Sequence, residues 1–164
     1  MPRLWFKISL NAFLDPAFIP FVAECLPRAG LPPDRLGFEV PAAEAVACGA
    51  DTADFTRALA GLGCFLVLDN FTMQEAHIDL LALPNLRVIK LEPAMAAQML
   101  TDRWLQQKVA GVAQSSRAIG LKVVVKRMGS RDEALWYRNH GVDYAQSHAL
   151  TPAQPLIRPG AVPE

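Results

Sequence analysis

The sequence predicts an α/β fold in which helices cover a parallel β-sheet. Six short apolar runs alternate with five longer helical segments along the chain. The runs are nearly continuous in apolar residues, which is typical of strands with both faces buried. Strict alternation of strand and helix indicates right-handed crossovers and a parallel sheet, either doubly wound or barrel-like.

The strands and helices follow from composition and from the residues that punctuate them. The predicted strands are Leu4–Leu10, Arg35–Val40, Cys64–Asp69, Leu86–Leu91, Leu121–Lys126 and Val142–Gln146. The predicted helices are Pro16–Ala29, Thr52–Leu62, Gln74–Ala82, Ala94–Ile119 and Arg131–His140. Asp15 is expected to cap the first helix, and Gly30, Gly120 and Gly141 to end helices. We therefore expect one domain over 1–152 and an unpacked proline-rich tail over 153–164.

Bulk composition excludes several classes of protein. Apolar residues make up 52% and charged residues 20% of the 164 residues, as in a globular domain. Sixteen basic residues balance sixteen acidic ones, so no overall field attracts nucleic acid or an anionic membrane. No apolar run resembles a signal peptide or a membrane span. Three cysteines without C-x-x-C spacing predict reduced thiols and a cytoplasmic location.

Each of the six predicted strands carries a polar residue in or at the end of the apolar run. These residues are Lys7, Glu39, Asp69, Lys90, Lys126 and Gln146. In a barrel the carboxyl ends of the strands meet at one mouth, so these side chains could form a site. The alternative is a set of ordinary strand-end charges that face solvent. The three histidines (His77, His140 and His148) are scattered, and we expect them at the surface or at helix ends.

Five segments in order resemble one family. KISLNAFLDPAF is similar to its N-x-S segment, and LPPDRLGFEV to the segment that ends in L-E-I-T-E. GCFLVLDNFTMQEAHIDLLALPNLRVIKLE is similar to a stretch from A-L-D-D-F-G-T-G to L-K-I-D. IGLKVVVKRMGS resembles V-V-A-E-G-V-E-T, and HGVDYAQSHALTP resembles G-x-D-x-x-Q-G-Y. The family is the EAL family, whose (β/α)₈-like barrels use two divalent metals to linearise cyclic di-GMP. The resemblance implies a partial barrel of the EAL type, with about six parallel strands.

Several positions depart from the family pattern. The resemblance implies that the strand with the E-x-L motif, which supplies a metal ligand, is absent upstream of Lys7, so the domain is N-terminally truncated. Lys7 stands at the position of a metal-binding asparagine, and Asn70 at that of the second aspartate. Glu92 replaces an aspartate, while Lys126 and Gly129 replace two glutamates.

Other positions keep the family residue. Glu39 and Asp69 retain carboxylates that bind metal in the family, Lys90 retains the catalytic-site lysine, and Gln146 retains the glutamine. Together, the kept and changed positions predict a vestigial site with no catalytic residues and no metal.

Electrostatics is the reason for that prediction. Mg²⁺ and Mn²⁺ need hard oxygen ligands, which come mainly from carboxylates at such sites. Here only two carboxylates are available, and three lysines lie beside them. A metal ion at this site would be repelled by these ammonium groups, at about 4 kcal/mol per pair of unit charges 4 Å apart if the dielectric constant is about 20. We hypothesise that Lys7 and Lys126 neutralise Glu39 and Asp69 in place of the metals. No cofactor is then expected.

The predicted function is that of a catalytically inactive regulatory or protein-interaction domain in bacterial signalling. The alternative is a receptor that binds cyclic di-GMP, or another anionic nucleotide, weakly and without hydrolysis. A closed barrel typically needs 200 residues or more, so an open sheet should leave the Leu4–Leu10 edge unpaired. A regulatory partner or a second copy is expected to cover it. The chain could also be a piece of a longer protein.

Overall fold

The computed structural model describes residues 3–94 and 101–147, and it contains one six-stranded sheet. The strands are β1 (Leu4–Lys7), β2 (Leu36–Pro41), β3 (Phe65–Phe71), β4 (Leu86–Leu91), β5 (Lys122–Lys126) and β6 (Tyr144–Gln146). Each strand pairs in parallel with the next one along the chain. A doubly wound sheet reverses its strand order, whereas this order runs in one direction. The sheet is therefore a curled half-barrel, which confirms the predicted partial barrel.

Seven α-helices are present in the part of the chain that the structure describes. They are α1 (Leu10–Leu14), α2 (Phe18–Arg28), α3 (Ala42–Ala47), α4 (Gly49–Gly61), α5 (Glu75–Asp79), α6 (Arg103–Ala118) and α7 (Arg131–Asn139). Among these residues, no helix combines the length and the apolar character needed to cross a bilayer. The predicted tail over 153–164 lies outside the described residues.

Several predicted elements differ from the structure in their bounds, and two of these boundary errors have local reasons. The first strand ends at Lys7 rather than Leu10, because the Ser9 hydroxyl accepts a hydrogen bond from the Ala12 amide at 3.2 Å and caps α1. The long helix predicted over Ala94–Ile119 is also wrong. Asp102 has extended backbone and caps α6 by accepting from the Trp104 and Leu105 amides at 2.8 and 3.2 Å.

The helix signals around α2 and α3 were incomplete. Asp15 does not cap α2 directly, since its carboxylate accepts from the Ala17 amide at 2.9 Å and the helix begins at Phe18. Helix α3 was not predicted. The glycine signals are confirmed: Gly30, Gly120 and Gly141 follow helices with φ of +60°, +80° and +89°.

The two faces of the sheet have different environments. The convex face packs on the helices in the main core, where Phe38, Leu68 and Ile89 are buried. The concave face carries a smaller apolar cluster of Phe65, Val67, Val88 and Val124, with Trp5 packed beside it. Alternation along each strand then places the next concave-facing residues at the carboxyl ends of the strands.

Candidate functional site at the carboxyl end of the sheet

The polar strand residues lie on the concave face, beyond the small apolar cluster. Register sets Lys7 beside Glu39 on neighbouring strands, and Lys126 beside Gln146. Asp69 and Lys90 are two residues beyond the apolar cluster members on β3 and β4. The period of two along parallel strands therefore brings them to one end of the half-barrel.

Lys90 and Glu39 form a buried ion pair across the sheet. The Lys90 Nζ donates to Glu39 Oε2 at 2.8 Å, and the two side chains are 5% and 7% exposed. Ions this deeply buried are costly unless they are paired and hydrogen-bonded, and here each supplies the other's partner. Glu39 is thus occupied by an ammonium group within the protein.

Asp69 is the centre of a second ion-paired group. Lys126 donates through Nζ to Asp69 Oδ1, and to Asn70 Oδ1 at 2.6 Å. Lys7 Nζ lies 3.7 Å from the other carboxylate oxygen of Asp69. The backbone amide of Asn70, which has φ of +52°, donates to Asp69 Oδ1 at 2.9 Å. Two lysines and an amide therefore surround this one carboxylate.

The surroundings of Asp69 favour its charged form. Burial alone would raise the pKa of this carboxyl, but hydrogen bonds from Lys126 and the Asn70 amide, with the charges of Lys126 and Lys90, lower it below its ordinary value. A carboxyl group whose pKa is lower in the folded state than in the unfolded state stabilises the fold at pH values above its unfolded pKa. That contribution is lost as the pH falls below about 4. The ion pairs of Asp69 therefore stabilise the fold at neutral pH.

The three remaining site positions make backbone contacts or face solvent. The Gly129 amide donates to Glu133 Oε2 at 2.7 Å, and the Glu92 amide donates to the Phe71 carbonyl at 3.0 Å. The Gln146 side chain is exposed at the end of β6, and its carbonyl accepts from the Arg127 amide at 2.8 Å. Two separate groups result: Lys90 pairs with Glu39, and Lys7, Lys126 and Asn70 gather at Asp69. Within residues 3–94 and 101–147, no side-chain hydrogen bond or ion pair links the three remaining positions to either group.

The residues at this site do not fit a pair of divalent cations. Within residues 3–94 and 101–147, no three His, Cys, Asp or Glu side chains cluster at metal-binding spacing. Three ammonium groups against two carboxylates leave one excess positive charge at the mouth. A metal at Asp69 would have to displace Lys126, and a metal at Glu39 would have to displace Lys90.

One part of the pairing was not predicted from the sequence. We expected Lys7 and Lys126 to neutralise both carboxylates, but both lie against Asp69, and Lys90 neutralises Glu39. The signal that could have identified this pair is the cost of a buried lysine, because Lys90 stands within an apolar strand and must have a partner.

His77 lies at a helix end, one of its two expected places, but it is not at the surface. It stands in the last turn of α5 and is buried at 6% exposure, and its Nδ1 accepts from the Thr72 amide at 3.0 Å. Burial lowers the pKa of His77. Because the folded state then binds fewer protons than the unfolded state, stability falls as the pH drops through about 6.5. His148 lies outside the described residues.

Comparison with known proteins identifies the family. The family model described as EAL domain matches residues 2–150. The chain belongs to the EAL domain family. The half-barrel resembles the FimX EAL domain of Pseudomonas aeruginosa bound to c-di-GMP (TM-score 0.83, 21% identity, 91% of this chain). It also resembles the Xanthomonas citri FimX EAL domain in complex with c-diGMP (TM-score 0.87, 23% identity, 94% of this chain).

The known relatives are longer than this chain. The chain covers 61% of each of the two FimX structures. An uncharacterized protein of Azorhizobium caulinodans is 22% identical over 96% of this chain, which corresponds to 22% of that protein. At these identities the structural likeness establishes the fold alone, and the family model confirms the resemblance found in the sequence.

Proposed function

We propose that this EAL domain is a non-hydrolytic regulatory module that acts in cytoplasmic bacterial signalling by binding a protein partner. The observation that carries the proposal is the pairing of both retained acidic side chains with lysines. Glu39 forms an ion pair with Lys90 at 2.8 Å, and Asp69 forms ion pairs with Lys126 and Lys7. In this arrangement lysines, rather than metal ions, neutralise the buried carboxylates at the mouth.

Loss of the metals removes the source of the nucleophile. Metal-dependent hydrolysis of a phosphodiester relies on a bound cation that lowers the pKa of water and stabilises the charge that develops on phosphate oxygens. Lysines can attract phosphate, but an ammonium group has no open coordination position for a water molecule. Lys7, Lys90 and Lys126 therefore support binding of an anion better than its hydrolysis.

The open half-barrel supports the interaction role. Within the described residues, β1 pairs only with β2, and β6 pairs only with β5, so the sheet has two edges. Edges with unpaired backbone groups favour pairing with another chain. The β1 edge, with Leu4 and Phe6 exposed, is the surface on which we place the partner.

A second candidate function is a non-hydrolysing receptor for cyclic di-GMP. One observation favours it: Lys7 is 61% exposed at a mouth that carries an excess positive charge, so its ammonium group could contact a phosphate. The nucleotide in the FimX structures makes cyclic di-GMP the first ligand to test.

A single titration separates these functions. Cyclic di-GMP is titrated into the protein by calorimetry, with and without Mg²⁺, and the mixture is then chromatographed for the linear dinucleotide. We expect no linear product under either condition. Heat without product would support the receptor, and no heat would support the interaction module alone. Linear product at a rate proportional to protein concentration would refute the non-hydrolytic proposal.

A further inference from the structure

An apolar groove lies beside the β1 edge on the convex side of the sheet. It encloses about 320 Å³ between β1, β2 and α2, and apolar side chains line it. Leu4 and Phe6 form its strand side, and Phe21, Cys25 and Leu26 are among its helical residues. Leu4 is 36% exposed, Phe6 50% and Phe21 62%. Contiguous apolar surface of this kind, next to a sheet edge, is typical of an interaction site.

Strand β1 presents two chemically different rows of side chains. Leu4 and Phe6 point toward the groove, whereas Trp5 packs edge-on against Phe65 on the concave face, with ring centroids 6.5 Å apart. Lys7 follows Trp5 on that same face by the period of two. A strand added at this edge would therefore place alternate side chains in the groove and beside Lys7.

The positive charges at this edge favour an acidic partner over a second copy of this chain. Arg3 and Lys7 are both exposed, and the first acidic residue of the chain is Asp15. An antiparallel copy that overlaps the whole strand, centred on Trp5, would place Arg3 directly opposite Lys7. Like charges in directly opposed positions destabilise strand pairing, whereas acidic residues opposite them stabilise it.

We propose that the β1 edge and its groove bind an extended segment of a partner protein, in which apolar residues alternate with polar ones and acidic residues lie opposite Arg3 and Lys7. Backbone hydrogen bonds to β1 would supply affinity, and the groove and the two cations would supply specificity. This inference rests on the proposed non-hydrolytic interaction role, since it specifies the partner of that same module.

Synthetic peptides test the proposal directly. The probe is a fluorescein-labelled peptide of eight residues that alternates valine with glutamate or threonine, and the matched control has lysine in place of each glutamate. Fluorescence anisotropy should show saturable binding of the acidic peptide, with the lysine peptide about tenfold weaker. Added salt should reduce the difference, because these charges are exposed.

Variants assign the binding to β1. Phe6→Glu should abolish binding, whereas Leu135→Glu, a change at a residue on α7 that is 56% exposed, should leave it unchanged. If circular dichroism shows that Phe6→Glu does not fold, Lys7→Glu provides the second test. Lys7→Glu keeps the groove and should remove the preference for the acidic peptide.

Three results would overturn the inference. The first is an absence of saturable binding, and the second is equal binding of the two peptides. The third is a wild-type dimer, detected by sedimentation, that Phe6→Glu dissociates, because a second copy would then occupy the edge. Failure of the proposed function has a different readout, because it would appear as linear product from cyclic di-GMP, whatever the peptides do.

Discussion

Replacement of Lys126 by glutamate tests whether a lysine takes the place of a metal in this domain. Lys126 is 14% exposed, and its ammonium group contacts both Asp69 and Asn70. Lys126→Glu would place a carboxylate beside the Asp69 carboxylate. The mouth would change from one excess positive charge to one excess negative charge.

The size of the effect follows from the burial of Asp69, whose side chain is 6% exposed. Removal of one partner from a buried pair costs about 3–5 kcal/mol. We expect about 3 kcal/mol, the lower end, because Lys7 remains 3.7 Å from Asp69. With a urea m-value of about 2 kcal/mol/M, the midpoint of unfolding should fall by about 1.5 M.

Magnesium should restore part of this loss in the variant. Two adjacent carboxylates offer the hard oxygen ligands that Mg²⁺ prefers. If the dissociation constant is about 1 mM, 10 mM Mg²⁺ should return about 1.4 kcal/mol. The assay is urea denaturation followed by circular dichroism, with and without Mg²⁺, on wild type and variant.

Two variants serve as controls. Lys126→Gln removes the ammonium group without adding a carboxylate, so it should lose stability and show no response to Mg²⁺. Lys122→Gln, on the same strand, breaks a pair with Asp143 at 2.7 Å, but Lys122 is 45% exposed, so the loss should be about 1 kcal/mol or less. Metal-free Lys126→Glu that is as stable as wild type, or equal stabilisation of wild type by Mg²⁺, would refute the replacement of a metal by Lys126.

Three further predictions concern the buried residues around the site. Lys90→Met should lower the free energy of unfolding by about 3–5 kcal/mol, and the double variant with Glu39→Met should lower it much less, as measured by a double-mutant cycle in urea. Additive losses would contradict the buried pair. Gly37→Ala should cost about 1–3 kcal/mol in the same assay, because a Cβ there would overlap the Phe65 ring, and an unchanged midpoint would show that the ring moves freely. Lowering the pH from 7 to 5 should destabilise wild type more than His77→Leu, and parallel pH profiles would exclude His77 as the cause.

The alternation of strands and helices in the sequence predicted a parallel α/β sheet, and the resemblance to the EAL family predicted a partial barrel. Apolar runs bounded by glycines and capping residues predicted all six strands, and β4 was predicted with its observed bounds, Leu86–Leu91. Such runs predict strands reliably, because both faces of a parallel strand are buried and nearly every position in the strand must therefore be apolar. Short helices are less constrained: α3 has six residues, too few for a helical period to appear in the sequence.

The pairing of the charges was decided only by the tertiary structure. The sequence indicated that lysines and carboxylates would meet at the strand ends, but not which lysine would meet which carboxylate. Lys90 and Glu39 are 51 residues apart, and Lys126 and Asp69 are 57 apart. Strand order, register and the reach of each side chain bring them together, and none of these is a local property of the chain. The physical reason is that a buried charge requires a partner but does not specify its position in the sequence.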